Sequence, residues 1–162
     1  MILIRRLTPA SIDAKVINKL LLQQSPNSKT LPLDKERLCA ALKNPLFHAM
    51  VANDVEQGKP TVCVGMATIF FQRNIARWIA EIHDVVVDES VRGKGTGRLL
   101  TEKLIEIAHT FCVERSASLE LSLTSRPSRV PANALYVKLG FKLVAKAEGE
   151  HGTNLYKMMI EP

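Results

Sequence analysis

Three glycines at alternate positions, set between a run that reads as a strand and a run that reads as a helix, restrict this chain more than any other feature. The strand-like run is Glu81-Ile82-His83-Asp84-Val85-Val86-Val87 and the turn is Arg92-Gly93-Lys94-Gly95-Thr96-Gly97. An amphipathic helix is predicted from about Arg98 to Phe111. Glycine permits tight dihedrals and lets the main chain come close to a ligand. The first N–H groups of a helix have no internal partner and carry the positive end of the helix dipole. With Arg92, Lys94 and Arg98 beside them, they form a backbone cradle for phosphate.

The spacing excludes two familiar phosphate loops. A P-loop needs a glycine, four residues and then Gly-Lys-Ser/Thr, but counting on from Gly93 reaches Arg98. A dinucleotide fingerprint needs its third glycine three residues after the second, which is again Arg98, and no βαβ unit starts at this strand. Arg92-Gly93-Lys94-Gly95-Thr96-Gly97 instead resembles the Arg/Gln-x-x-Gly-x-Gly/Ala signature of the GNAT superfamily of N-acetyltransferases. In that family the loop holds the pyrophosphate of acetyl-coenzyme A. The resemblance therefore implies that Arg92, Gly93, Lys94, Gly95, Thr96, Gly97 and Arg98 bind acetyl-CoA as a cosubstrate, with no metal.

Composition agrees with one globular domain spanning residues 1–162. The formal charge of +6 raises the question of nucleic acid, but a charge this modest serves general solubility more often. Only two Tyr and one Trp are present, and no basic-aromatic interleaving offers a stacking platform for bases. Cys39, Cys63 and Cys112 are far apart, so neither a disulfide framework nor a zinc site is supported. Met1-Ile2-Leu3-Ile4 is too short for a signal-peptide core, and the apolar runs fall short of a membrane span. The expectation is a cytoplasmic protein with no nucleic-acid or membrane partner.

Periodicity predicts a strand at Ile2–Leu7 and a helix capped by Ser11, with Ile12, Val16, Leu20 and Leu21 on one face. A polar loop comes next at Gln23–Thr30, and a second helix after Asp34 stops before Pro45. Strands are predicted at His48–Val55, Thr61–Phe71 and Trp78–Val87. The helix after the glycines carries Leu99, Leu100, Leu104, Ile107, Ala108 and Phe111 as its core stripe. Ser118–Thr124 alternates as a strand, a helix covers about Pro131–Leu139, and Phe141–Ala147 and Asn154–Ile160 are the last strands. The order β-α-α-β-β-β-α-β-α-β-β predicts an α/β (α+β) fold, a mixed sheet with helices on its faces. It is also the element order of the GNAT fold, whose central sheet is mostly antiparallel.

Asn133-Ala134-Leu135-Tyr136 followed by Lys138-Leu139-Gly140-Phe141 is the second informative run. Asn133 and Tyr136 lie three apart and share a helical face. Read from residues alone, they are a solvated amide and a packed phenol with a wet tip. The run is similar to the second cofactor motif of GNAT enzymes. That likeness implies that Asn133 bonds the pantetheine arm and that Tyr136 protonates the leaving thiolate. A phenol is protonated at neutral pH and can donate as charge develops on sulfur.

Acyl transfer from a thioester to an amine also needs an oxyanion site and a base. The resemblance implies backbone N–H groups at Val85, Val86 and Val87 for the first, provided the strand splays from its neighbour. Glu81, His83, Val85 and Val87 share one strand face by the period of two, which makes Glu81 and His83 the candidate bases, while Asp84 points to the other face. The acceptor is expected to be a small-molecule or peptide amine, and a homodimer is compatible with the family. Acceptor specificity is expected in the loop from Gln23 to Leu33 and near Glu148, Glu150 and His151. A non-catalytic acyl-CoA-binding protein of the same fold is the competing reading, and a nucleic-acid-binding domain ranks below it.

Overall fold

Alternating and helical segments close into a seven-stranded sheet in the computed structural model, which describes residues 1–149 and 152–162. In chain order the elements are β1 (Ile2–Arg6), α1 (Ala14–Gln24), α2 (Lys35–Leu42), β2 (Phe47–Asp54) and β3 (Val62–Arg73). Then come β4 (Trp78–Val87), α3 (Thr96–Arg115), β5 (Leu119–Ser125), α4 (Val130–Lys138), β6 (Lys142–Ala145) and β7 (Asn154–Ile160). Single 3-10 turns at Pro9–Ser11 and Glu89–Val91 join them. The strand order is β1-β2-β3-β4-β5-β7-β6. Pairing is antiparallel for β1 with β2, β5 with β7 and β6 with β7, and parallel for β4 with β5. The mixed, mostly antiparallel sheet expected from the sequence is present. No helix among the described residues is long and apolar enough to cross a membrane.

Packing divides the chain into two compact units, Met1–Ile69 with Asp84–Lys103, and Phe70–His83 with Leu104–Pro162. In the first, Leu7, Ile17, Leu20, Val51, Met66 and Val86 build a buried cluster. Helix α1 starts two residues later than Ser11 predicts. Asp13 is the cap, its carboxylate accepting from the Lys15 and Val16 amides at 3.0 and 3.2 Å, while Ser11 closes the preceding turn with Thr8. Two polar caps compete at such a boundary, and the one with acceptors facing the N2 and N3 amides wins.

The second unit is organised by aromatic packing. Phe71 stacks on Phe111 with centroids 4.0 Å apart, and Trp78 meets Phe111 edge-on at 4.9 Å. Leu119, Leu121 and Leu123 of β5 are all buried, as their alternation requires. Helix α3 contributes to both units: Leu100 in the first, and Leu104, Ala108 and Phe111 in the second, succeed each other at spacings of three and four and are buried. Leu99, assigned to the same stripe from sequence, is 41% exposed because it falls one residue to the side of that row.

Gly65 on β3 is where a close approach demands glycine. A Cβ there would sit 3.0 Å from the Val86 carbonyl oxygen and 3.3 Å from Leu100 Cδ1. The backbone of β4 cannot yield as a side chain does. Gly65→Ala is therefore expected to destabilise by about 1–3 kcal/mol, lowering the melting temperature by roughly 2–10 °C. An unchanged thermal midpoint would show that this approach is slack.

Candidate active site

The glycine turn is built as the sequence suggests, with the helix starting earlier. α3 begins at Thr96 rather than near Arg98, so Thr96 and Gly97 already belong to its first turn. Leu99 donates to the Gly95 carbonyl at 3.1 Å, which leaves the preceding first-turn amides with no helical acceptor. Gly93 and Gly95 have φ of 79° and 82°, the left-handed region, and nothing lies within 4 Å of where their Cβ atoms would be. That open space beside a helix N-terminus fits an anion drawn against the main chain. Thr96 is 2% exposed, and its hydroxyl has no hydrogen-bond partner among the described residues.

The cations around the turn are not equivalent. Arg92 Nε donates to the Val87 carbonyl at 3.0 Å, and Arg98 Nε donates to Glu102 at 2.8 Å along the helix. Lys94 is exposed at the tip. Asp88, buried just before the turn, anchors it to α1. Lys19 Nζ donates to Asp88 Oδ2 at 2.6 Å, Gln23 Nε2 reaches the same oxygen, and Ser90 donates to Oδ1 through both N–H and Oγ. Gln23 Oε1 in turn accepts from the Glu89 amide at 3.0 Å.

The Lys19 ammonium first, and the Ser90 donors second, hold the Asp88 carboxyl far below the ordinary carboxylate range. A depressed folded-state pKa stabilises the fold above the unfolded value, near pH 4, and that contribution is lost as pH falls below it. Asp88→Asn is thus expected to flatten the acid side of the stability profile. Urea midpoints that fall equally steeply below pH 4 in variant and wild type would contradict this latch.

β4 carries the next candidates. Its parallel register with β5 runs from Trp78↔Leu119 to Ile82↔Leu123 and ends there, although β4 continues to Val87. Asp84 has φ 52°, left-handed in a non-glycine residue. The backbone at Asp84 departs from extended values within β4, yet burial still alternates along the strand: Ile82 and Val86 are buried while Glu81 and His83 are exposed. Val86 is buried, Val85 and Val87 are half-buried. Glu81 and His83 do share a face: His83 Nε2 lies 3.1 Å from Glu81 Oε2, with the His83 and Glu81 side chains about half exposed at 55% and 51%. Asp84, ranked low from sequence, accepts a hydrogen bond from Thr68 Oγ1 at 3.1 Å. A one-residue backbone reversal leaves no periodic signal in a sequence, so nothing in the pattern marks that residue.

On α4, Tyr136 is buried, packed against Phe141 and Tyr156 with centroids 6.1 and 5.8 Å away. Burial pushes its phenol above the usual tyrosine range, with Arg129 pulling weakly the other way. Among the described residues its hydroxyl has no hydrogen-bond partner. Asn133 is committed to the fold: its Nδ2 donates to the Arg126 and Pro127 carbonyls at 3.0 and 3.3 Å, and its Oδ1 accepts from Tyr156 at 3.1 Å. Both amide hydrogens are used, so any further bond is one its oxygen accepts. Ser125, at the end of β5, also keeps a buried hydroxyl without a partner among the described residues. Serine at a strand end is too common for sequence to single it out. Glu148 is exposed, and Glu150 and His151 lie outside the described residues.

Residues 15–141 match the family model described as the acetyltransferase (GNAT) family. The chain belongs to that family. Among curated proteins no sequence matches it. Solved structures share the GNAT fold across nearly the whole length. A GNAT-family acetyltransferase from Streptococcus pneumoniae has 21% identity and a TM-score of 0.76, covering 99% of both chains. Salmonella typhimurium yncA, solved with its cofactor acetyl-CoA, has 19% identity and a TM-score of 0.70 over 99% of this chain and 94% of its own. Arabidopsis thaliana NAA60 in complex with acetyl-CoA has 16% identity and a TM-score of 0.70, with 99% of each chain covered. This GNAT chain is an acetyltransferase by family.

Proposed function

We propose that the protein moves an acetyl group from acetyl-CoA to a primary amine by direct transfer in a ternary complex. The observation that carries this reading is the turn before α3, where two left-handed glycines leave open space beside first-turn amides that have no helical acceptor. A pyrophosphate satisfies those amides, and Arg92, Lys94, Thr96, Gly97 and Arg98 complete its surroundings. The acetyl-CoA found in two of the similar structures supports the same cosubstrate.

Bound acetyl-CoA supplies the acetyl group as an activated thioester. The chain's residues do the rest. Amides of Val85, Val86 and Val87 lie beyond the end of the β4–β5 register, so they are candidates to donate to the carbonyl oxygen as it gains charge. Tyr136 supplies a proton for the leaving sulfur, and Asn133 meets the pantetheine arm as an acceptor. Glu81 and His83, exposed and adjacent, take the proton from the amine through solvent. A place of action in the cytoplasm belongs to this reading.

Loss of the phenol in Tyr136→Phe is expected to lower kcat by about 100-fold or more with little change in KM for acetyl-CoA. Because burial raises this pKa, the acid remains protonated at neutral pH, and kcat falls only as pH rises above the ordinary tyrosine range. That alkaline limb disappears in the phenylalanine variant. CoA release with an amine panel reads both effects. Undiminished kcat in the variant removes Tyr136 from the chemistry, and tight acetyl-CoA binding with no thiol release across the panel favours a non-catalytic acyl-CoA-binding protein.

A further inference from the structure

A cavity of about 270 Å³ lies beneath α1 and α2 in the first compact unit. Its wall is almost wholly apolar: Leu21 of α1, Leu38 and Leu42 of α2, Phe47 and Ala49 of β2, and Met66 of β3. Leu21, Leu38, Leu42 and Phe47 are only half-buried, so the helices lean over the sheet without filling the space against it. An apolar cavity of about 150 Å³ already accepts benzene. This one therefore has room for an aryl or branched alkyl group with a short arm.

Two polar groups on the sheet side break the apolar lining. They are the carboxylate of Asp84 and the hydroxyl of Thr68, joined at 3.1 Å. Thr68 donates to Oδ2, which leaves Oδ1 and the second lone pair of Oδ2 to accept. The left-handed backbone at Asp84 holds that carboxylate, and aspartate tolerates this conformation better than most residues. Chain order adds the decisive relation: Asp84 immediately precedes Val85, the first of the amides assigned to the thioester oxygen. Arg37 of α2 lies on the lining and is exposed.

We infer that this cavity is the acceptor pocket and that the acceptor is a monoamine carried on an apolar body, its nitrogen held by Asp84. The inference rests on the amine-acetylation reading and narrows its substrate class. A cationic nitrogen is drawn to the carboxylate, while the apolar wall takes the aryl or alkyl portion. A diamine is disfavoured, because its second ammonium would lose water against leucines with no partner, and Arg37 adds like charge. An acidic acceptor is repelled by Asp84. Asp84 acts here by positioning the nitrogen beside the reacting carbonyl.

Calorimetric titration of the full-length protein with 2-phenylethylamine tests the pocket without acetyl-CoA. The controls are methylamine, putrescine and 2-phenylethanol, the neutral counterpart. Wild type is expected to bind 2-phenylethylamine at least ten-fold tighter than each control. Asp84→Asn keeps a residue suited to the left-handed backbone and is expected to lose that preference over the alcohol. Ala49→Leu fills the cavity from β2 and is expected to weaken 2-phenylethylamine at least ten-fold while retaining the wild-type melting temperature. Equal binding of the four ligands, or 2-phenylethylamine binding unchanged in both variants, overturns the inference. Acetyl-CoA binding is titrated in parallel to separate the two failures. Acetyl-CoA binding without amine discrimination sinks the pocket alone, whereas amine discrimination without acetyl-CoA binding sinks the acetyl-transfer reading and with it the acceptor role, leaving only an amine-binding cavity.

Discussion

The left-handed backbone at Asp84 sets the geometry of everything around it. The reversal falls within β4, two residues past the end of its register with β5 at Ile82. A non-glycine residue in this conformation stores strain of about 1 kcal/mol or more and persists only where its surroundings fix it. The hydrogen bond from Thr68 and the burial of Val86 supply that fixing. Strain held in this way belongs to function more often than to stability.

Beyond Asp84 the chain runs through a succession of main-chain devices. Asp88 ties the segment to Lys19 and Gln23 of α1, the glycines open the turn, and α3 begins with amides that have no helical acceptor. The arginine side chains in this stretch have partners within the protein: Arg92 donates to the Val87 carbonyl and Arg98 to the Glu102 carboxylate. In the acetyl-CoA reading the attraction for an anion comes chiefly from oriented peptide groups, whose partial charge near the helix end is about half an elementary charge. A site of that kind is insensitive to most side-chain changes and very sensitive to glycine replacement.

The glycine turn was legible in the sequence because its cause is local. Glycine spacing, a preceding alternating strand and a succeeding helical stripe all lie within one contiguous stretch, and β4 and β7 emerged with their predicted limits. Asn133 shows where that reasoning weakens. Its motif implies a ligand for the cofactor arm, yet its amide also bonds the nearby Arg126 and Pro127 carbonyls and Tyr156, and the last contact depends on α4 meeting the distant strand β7. The Asp84 reversal and the cavity beneath α1 and α2 have no periodic trace, because both arise from how elements pack. Ser11 and Leu99 misled for a simpler reason, each being one plausible residue beside a better placed neighbour.

Whether the turn before α3 is an anion cradle for acetyl-CoA is decided by calorimetric titration of the protein with acetyl-CoA beside Gly95→Glu. The substitution puts a Cβ on a left-handed backbone and a negative charge at the helix N-terminus. Saturable binding by the wild type is expected, with at least a hundred-fold loss in a variant that remains folded by circular dichroism. Absence of binding in the folded wild type, or equal binding by both proteins, would contradict the cradle.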